Sequence, residues 1–148
     1  MKLSKKGRYG LTALIDLAVN SKDGYVSLSS IAERNGISLK YLEQVFSSFR
    51  RSGIVKSIKG PQGGYLLSRK PGQISVSSII ESLEGSYYLE EEDTSEQNPY
   101  QDIAITIQKK IINPVNEEMD NILTNLTLED LENDYLQSSE YGQDMYYI

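Results

Sequence analysis

The sequence predicts a mainly α-helical protein with one small β-hairpin in its first half and a long helix in its second. Three observations point there. Ser4, Ser27, Ser38 and Ser75 each stand just before a run of apolar residues at helical spacing, and serine is a favoured N-cap because its hydroxyl accepts a hydrogen bond from a free N–H of the first turn. Two short runs rich in β-branched or apolar residues flank Gly60-Pro61-Gln62-Gly63, the pattern of a hairpin. Beyond residue 100, Ile103, Ile107, Ile111, Val115, Met119, Ile122 and Leu126 recur three or four apart, which is one face of a long helix.

The elements follow in order. Ser4 caps a first helix that runs to Asn20, with Leu11, Leu14, Ile15, Leu17 and Ala18 as its apolar positions. Lys22-Asp23-Gly24 makes a turn. Ser27 opens a short helix over residues 28–35, and Gly36 ends it because glycine tolerates positive φ. Ser38 caps the next helix, residues 39–52, whose buried stripe is Leu42, Val45, Phe46 and Phe49. Residues 54–59 and 64–69 form the hairpin. Pro71-Gly72 breaks the chain, and Ser75 caps a helix over 76–84 closed by Gly85. From 86 to 98 the periodicity dissolves around Glu90, Glu91, Glu92 and Asp93, which predicts an exposed, mobile loop. Pro114 predicts a kink or a break in the long helix beyond that loop. Thr127 and the acids behind it predict a short last helix, and residues 133–148 have weak periodicity.

Composition removes whole classes of chemistry. The 148 residues include no cysteine and no histidine. Disulfides, thiolate nucleophiles, Ser-His-Asp triads and most zinc sites are thereby excluded, and carboxylate-held Mg²⁺ or Ca²⁺ survives. No apolar run has the length of a membrane span and no signal-peptide core follows the basic start, so a soluble, cytoplasmic protein is expected. The net charge of −6 averages two opposite halves: residues 1–80 hold thirteen Lys and Arg against four Asp and Glu, a net +9, and residues 81–148 hold two against seventeen, a net −15. A basic half joined to an acidic one suits a polyanion-binding surface carried by a module that faces away from it. The acidic run 90–93 makes a poor hydrolase site, because consecutive acids on a loop splay apart and a site needs convergent carboxylates on rigid elements. No enzyme is expected.

Helix, short helix, tight turn, capped helix, hairpin is the order of a winged helix-turn-helix. The capped helix would enter the major groove. With its buried stripe removed, it presents Ser38, Lys40, Tyr41, Glu43, Gln44, Ser47, Arg50 and Arg51. Gln44 is suited to adenine, Lys40 to guanine and Glu43 to the cytosine amino group, although any amphipathic helix has such a polar face. The hairpin adds Lys56, Lys59, Gly60, Pro61, Gln62 and Gly63, a slim cationic tip for a minor groove or phosphates. Lys5, Lys6, Arg8 and Tyr9 add phosphate contacts at a helix start.

Four segments carry a family resemblance: Leu3-Ser4-Lys5-Lys6-Gly7-Arg8-Tyr9-Gly10, Ile37-Ser38-Leu39-Lys40-Tyr41-Leu42-Glu43-Gln44, Gly60-Pro61-Gln62-Gly63-Gly64-Tyr65 and Thr127-Leu128-Glu129-Asp130-Leu131. In these the chain resembles the Rrf-two family of bacterial winged-helix regulators over nearly its whole length to about residue 131. The resemblance implies a sequence-specific regulator that binds pseudo-palindromic double-stranded DNA as a homodimer. The dimer would close through Ile107, Ile111, Val115, Met119, Ile122 and Leu126. The expected organisation is a DNA-binding unit at 1–85, an exposed acidic loop at 86–98, dimerisation helices at 99–132 and a tail at 133–148. Much of the family senses through an iron-sulfur cluster on three cysteines in the loop after the fourth helix. Here that loop has none, so no cofactor is expected. A cluster-free branch, the repressors of cysteine and sulfur metabolism, is similar in this respect and in the terminal Met145-Tyr146-Tyr147-Ile148. Members of that branch work with O-acetylserine thiol-lyase (cysteine synthase), which implies that Tyr146, Tyr147 and Ile148 dock in that enzyme. The alternative keeps the fold and assigns another regulon, controlled by an unidentified ligand or partner.

Overall fold

A computed structural model of the chain describes the backbone of residues 2–147 and the side chains of residues 2–139. Its elements are α1 (Lys5–Asn20), α2 (Leu28–Asn35), α3 (Leu39–Arg51), β1 (Val55–Ile58), β2 (Gly64–Leu67), a 3₁₀ turn (Pro71–Gln73), α4 (Val76–Glu84), α5 (Gln101–Ile107), a π-helical turn (Gln108–Ile112), α6 (Asn113–Asn125) and α7 (Leu128–Tyr147). This is the mainly helical, winged architecture that the sequence predicts.

The first four helices start where serine can take up a free N–H. Ser4, Ser27, Ser38 and Ser75 accept from the amides of Gly7, Ser30, Tyr41 and Ser78 at 3.2, 3.2, 3.0 and 3.1 Å. Each cap contributes about 1 kcal/mol. Gly36 ends α2 in the left-handed region at φ 62°, which swings the chain into the cap of α3 within two residues. The apolar faces so aligned close one core: Ala13, Leu14, Leu17 and Ala18 of α1, Ile31 of α2, Leu42, Val45, Phe46 and Phe49 of α3, and Ile79 of α4, all buried. Phe46 packs edge-on against both Phe49 and Tyr65, which ties the hairpin to α3.

β1 and β2 pair antiparallel from Val55↔Leu67 to Ile58↔Gly64. The sequence does not reveal their third partner. Val26, between the first turn and the Ser27 cap, exchanges two backbone hydrogen bonds with Tyr65 at 3.0 and 2.8 Å. A side chain at Gly64 would press its Cβ to 2.4 Å from the Val26 carbonyl oxygen, so glycine is the residue that lets this bridge form.

The second half departs from expectation in three places. The acids Glu90–Asp93 are exposed, but the loop that carries them is fastened at its start, where Tyr87 is buried. Pro114 does not break its helix into two. α5, the π turn and α6 run on without a gap from 101 to 125, roughly 35 Å. The reason lies just before the proline: Asn113 N–H donates to the Gln108 carbonyl five residues back. That wider turn relieves the contact between the proline ring and the preceding turn, and absorbs its missing N–H. Finally, α7 is no short helix: the backbone stays helical to Tyr147, so residues 133–147 are not an irregular tail.

α7 also binds the two halves together. Thr127 and Asp130 cap it reciprocally, at 3.2 Å (Asp130 N–H to Thr127 Oγ1) and 2.9 Å (Thr127 N–H to an Asp130 carboxylate oxygen). Thr127 pairs antiparallel with Ser75 through Val76 N–H to Leu126 O at 2.8 Å and Leu128 N–H to Ile74 O at 2.9 Å. Leu128 is fully buried in the main core. Met119, Leu123, Leu126 and Leu131 pack on a second cluster made of Val76, Ile80 and Tyr87. Glu132, only 4% exposed, forms an ion pair with Lys22 at 2.7 Å. Among the described residues no helix is long and apolar enough to cross a membrane. Leu128→Ala is expected to lower the unfolding free energy by about 2–5 kcal/mol, read from urea denaturation; a loss under about 1 kcal/mol would show that α7 is not part of the folding unit.

Candidate nucleic-acid interface

Helices α3 and α1 share one open surface, and the wing presents a second set of exposed side chains. On α3, Lys40, Gln44, Ser47 and Arg51 follow i, i+4, i+7, i+11 spacing and line a shallow depression together with Glu43, Ser48 and Lys6 of α1. The stripe Leu42, Val45, Phe46 and Phe49 turns the opposite way, fully buried, and so fixes which face is offered. Lys40, Glu43, Gln44, Arg50 and Arg51 are exposed, with Arg50 outside the depression. Lys6 and Ser47 belong to this surface as well and are half-buried.

The remaining sequence-predicted residues divide by environment. Lys5 and Arg8 are exposed on the first turns of α1. Tyr9 and Tyr41 are half-buried and meet edge-to-face with centroids 5.6 Å apart, so they brace α1 against α3. Ser38 is exposed; its oxygen caps α3 while its hydroxyl proton stays free to donate. On the wing, Lys56, Lys59, Gly60, Pro61 and Gln62 are exposed, and Gly63 closes the tip with its N–H on the Gly60 carbonyl at 3.0 Å. A Cβ at Gly63 would lie 2.3 Å from the Ile58 carbonyl oxygen, so the tip stays slim.

The apolar stripe of the second half splits in two. Ile111, Val115 and Ile122 are exposed, as is Ile103, whereas Ile107 is half-buried and Met119 and Leu126 turn inward onto α4. Tyr146 and Tyr147 fall in α7, but their side chains, and all of Ile148, lie outside the described residues.

Sequence reasoning also missed two polar networks, since neither has a local pattern. Asp16 of α1 accepts from Arg34 Nε and Nη2 at 2.9 and 2.6 Å and from Asn35 at 2.9 Å, which pins α2 to α1 and raises the Arg34 pKa through the hydrogen bond to Asp16. In the second network the Tyr87 and Tyr88 hydroxyls both donate to one Asp120 oxygen at 2.8 Å. Ser77 then donates to Tyr87, whose proton is already committed. Asn116 holds the Leu89 amide at 2.8 Å, and Gln108 holds that of Glu92 at 2.8 Å. Hydrogen bonds from Tyr87 and Tyr88 hold the Asp120 carboxyl below its ordinary value, and the same contact pushes Tyr88 up to about 12.

Comparison with known proteins agrees with this geometry. A family model described as Rrf2, iron-dependent transcriptional regulator, matches residues 3–134. The chain belongs to the Rrf2 family of transcriptional regulators, winged-helix proteins and not enzymes. The HTH-type transcriptional regulator IscR of Cronobacter sakazakii is 52% identical over 86 residues, 58% of this chain and 53% of that protein. The chain spans about half the length of the curated relatives it matches. Among solved structures, CymR, the global cysteine regulator of B. subtilis, superposes with a TM-score of 0.75 at 38% identity, over 90% of this chain and 97% of that one. The T. potens IscR structure does so with a TM-score of 0.71 at 41% identity, over 91% and 88%. The matches thus fall on both IscR and CymR, and the narrower resemblance to the cysteine-metabolism branch is not singled out.

One expectation is corrected. That no cofactor is involved does not stand: the family is described as iron-dependent, and the curated relatives carry the name IscR. The residues of this chain do not, however, fit a thiolate- or imidazole-held iron group. It has neither cysteine nor histidine, and among the described residues no three acidic side chains converge on one point.

The tyrosine network has a definite pH signature. Because Asp120 is held low, its contribution is present above the ordinary carboxylate range and is lost as pH falls through the lowered value; because Tyr88 is raised, its contribution holds below 10 and is lost as pH rises through about 12. Asp120→Asn is expected to bring the Tyr88 titration, followed by NMR of its ring carbons, down from about 12 toward 10. An unchanged titration would mean that the Asp120 contact is not made in solution.

Proposed function

We propose that this chain is a homodimeric, sequence-specific DNA-binding regulator that places α3 in the major groove and the wing against the neighbouring minor groove and phosphates. One observation carries the reading. The cations Lys5, Lys6, Arg8, Lys40, Arg50, Arg51, Lys56 and Lys59 lie on α1, α3 and the wing, and among the described residues none forms an ion pair. The two ion pairs that are made, Lys22–Glu132 and Arg34–Asp16, stand elsewhere. Unpaired cations outnumbering the one acid, Glu43, beside an exposed helix start and a slim glycine tip suit a grooved polyanion.

The roles follow from position. Lys40, Glu43 and Gln44, at the start of α3, are the base readers. Lys5, Lys6, Arg8, Arg50 and Arg51 anchor phosphates, as does the free hydroxyl proton of Ser38. Tyr9 and Tyr41 hold the angle between α1 and α3. Lys56 and Lys59 follow the backbone beside the tip Gly60-Pro61-Gln62-Gly63. Ile103, Ile111, Val115 and Ile122 form the face for a second copy, while Met119 and Leu126 support it from within. The regulon is one set by an unidentified ligand or partner. A second reading, repression of cysteine metabolism, is supported by the likeness to CymR over 97% of that protein's length. A partner enzyme captured by the terminal residues is not part of either reading, because neither the described side chains nor the comparisons bear on it.

Affinity for the preferred duplex is expected to fall linearly with salt on logarithmic axes. Lys56→Ala and Lys59→Ala should weaken all sequences alike, each reducing the salt slope by about 1. Gln44→Ala should instead cost about 1–3 kcal/mol at particular base pairs. A flat salt response, or equal losses on every sequence for Gln44→Ala, would overturn these assignments. Val115→Glu together with Ile111→Glu should convert the dimer to a monomer in analytical ultracentrifugation; an unchanged mass would move the interface elsewhere.

A further inference from the structure

α3 begins with a residue that the polar reading of its surface leaves out. Leu39 is the first residue of the helix and is 41% exposed. It lies on the same side of α3 as Glu43, four residues on, and Arg50, eleven on, flanking the row Lys40, Gln44, Ser47 and Arg51. Every other large apolar side chain of α3 is buried: Leu42, Val45, Phe46 and Phe49 are at 0% exposure, and Tyr41 is half-covered by Tyr9. Leu39 is therefore the one aliphatic side chain that α3 holds in water, at the end of the helix aimed at DNA and between two residues assigned to it.

The floor of the major groove carries one apolar group, the C5-methyl of thymine. Lysine, glutamine and glutamate recognise base edges by hydrogen bonds and gain nothing from a methyl. An exposed leucine is suited to it, and covering the pair removes apolar surface from water on both sides. We propose that Leu39 is a specificity-determining residue that reads a thymine methyl in each half-site. Glu43 stands one helical turn further along the same side, and residues so spaced lie about 5–6 Å apart at Cβ. With base pairs about 3.4 Å apart, the thymine lies one or two steps from the base that Glu43 contacts.

The inference rests on the DNA-binding reading of α3, and one experiment separates the two. The full chain is used to select its preferred duplex from random-sequence DNA. Each thymine of that duplex is then replaced singly by deoxyuridine, which removes the methyl and leaves the pairing intact. Wild-type affinity should drop about two- to fourfold at one thymine per half-site and remain unchanged at the others. Leu39→Ala should bind the thymine duplex more weakly and no longer distinguish thymine from uracil at that position. Leu39→Met, which restores an aliphatic side chain, should recover the preference. A wild-type protein that selects a sequence but ignores every thymine-to-uracil change overturns the role of Leu39 alone. So does a Leu39→Ala protein that keeps the wild-type ratio. A chain that selects no sequence at all overturns the DNA-binding reading and this inference with it.

Discussion

Two backbone hydrogen bonds, those between Val76 and Leu126 and between Leu128 and Ile74, join the segment beyond residue 100 to the first half of the chain. They bracket the Ser75–Thr127 bridge and bring the end of α6 against the start of α4. From that point Leu128 enters the core of the first half and Glu132 reaches Lys22, so α7 lies on α1. The rod made by α5, the π turn and α6 is therefore anchored at its C-terminal end. Its sides are left to present Ile103, Ile111, Val115 and Ile122 outward. A boundary drawn near residue 85 describes the charge of the chain well and its packing poorly, because Leu128 belongs to the same core as residues 13–79, and Leu126 and Leu131 pack on the cluster that includes Val76 and Ile80 of α4.

Much of the first half is legible in the sequence, for a physical reason. Its helices are set by local signals: a serine one residue before each apolar run, a glycine after α2 and α4, and buried residues at strict helical spacing. The candidate reading face is legible by subtraction, since whatever is not in the stripe of α3 must face out. Contacts made across the chain are not legible. Val26 bridges to Tyr65, and Asp120 gathers two hydroxyls from a loop more than thirty residues earlier. Neither has a period or a spacing. The apolar stripe of the second half has helical spacing throughout, yet it is not one face of a uniform helix. Within α6 and its last turn the stripe alternates: Met119 and Leu126, seven residues apart, turn inward onto α4, while Val115 and Ile122, also seven apart, stay exposed on the flank.

Pro114 shows how a strong local rule can be met without ending the helix. Proline in a helix interior loses one hydrogen bond and crowds the preceding turn, and the usual result is a kink or an end. Here the chain widens by one residue just before it, and the backbone dihedrals stay helical at Ile107, Gln108, Ile112 and Asn113. Gln108, at the start of that wider turn, also holds the amide of Glu92 and bonds to Asn113. The irregular turn is thus built into the fastening of the acidic loop, which joins two features that look independent in the sequence. The loop is held to the rod by Asp120, Asn116 and Gln108, all supplied by this chain.

Net charge is a poor guide to what this molecule binds, and the structure explains why. Of the acids beyond residue 80, Glu132 pairs with Lys22 and Glu84 accepts from the Ser4 amide at 2.8 Å. Both carboxylates sit where they satisfy a local need, one beside a buried segment of α7 and the other at the N-terminus of α1, where the helix dipole favours an anion. Within the basic half, Asp16 is committed to Arg34 and Asn35. Glu43 is the one acid that lines the depression on α3, where it flanks the row Lys40, Gln44, Ser47 and Arg51. Among the described residues the remaining acids beyond residue 80 lie largely exposed on α4, the loop, the rod and α7, a separate part of the sequence that contributes nothing to the depression on α3. A chain of net charge −6 can in this way keep the cations of α1, α3 and the wing free of ion pairs among the described residues, because most of its acids lie beyond residue 80.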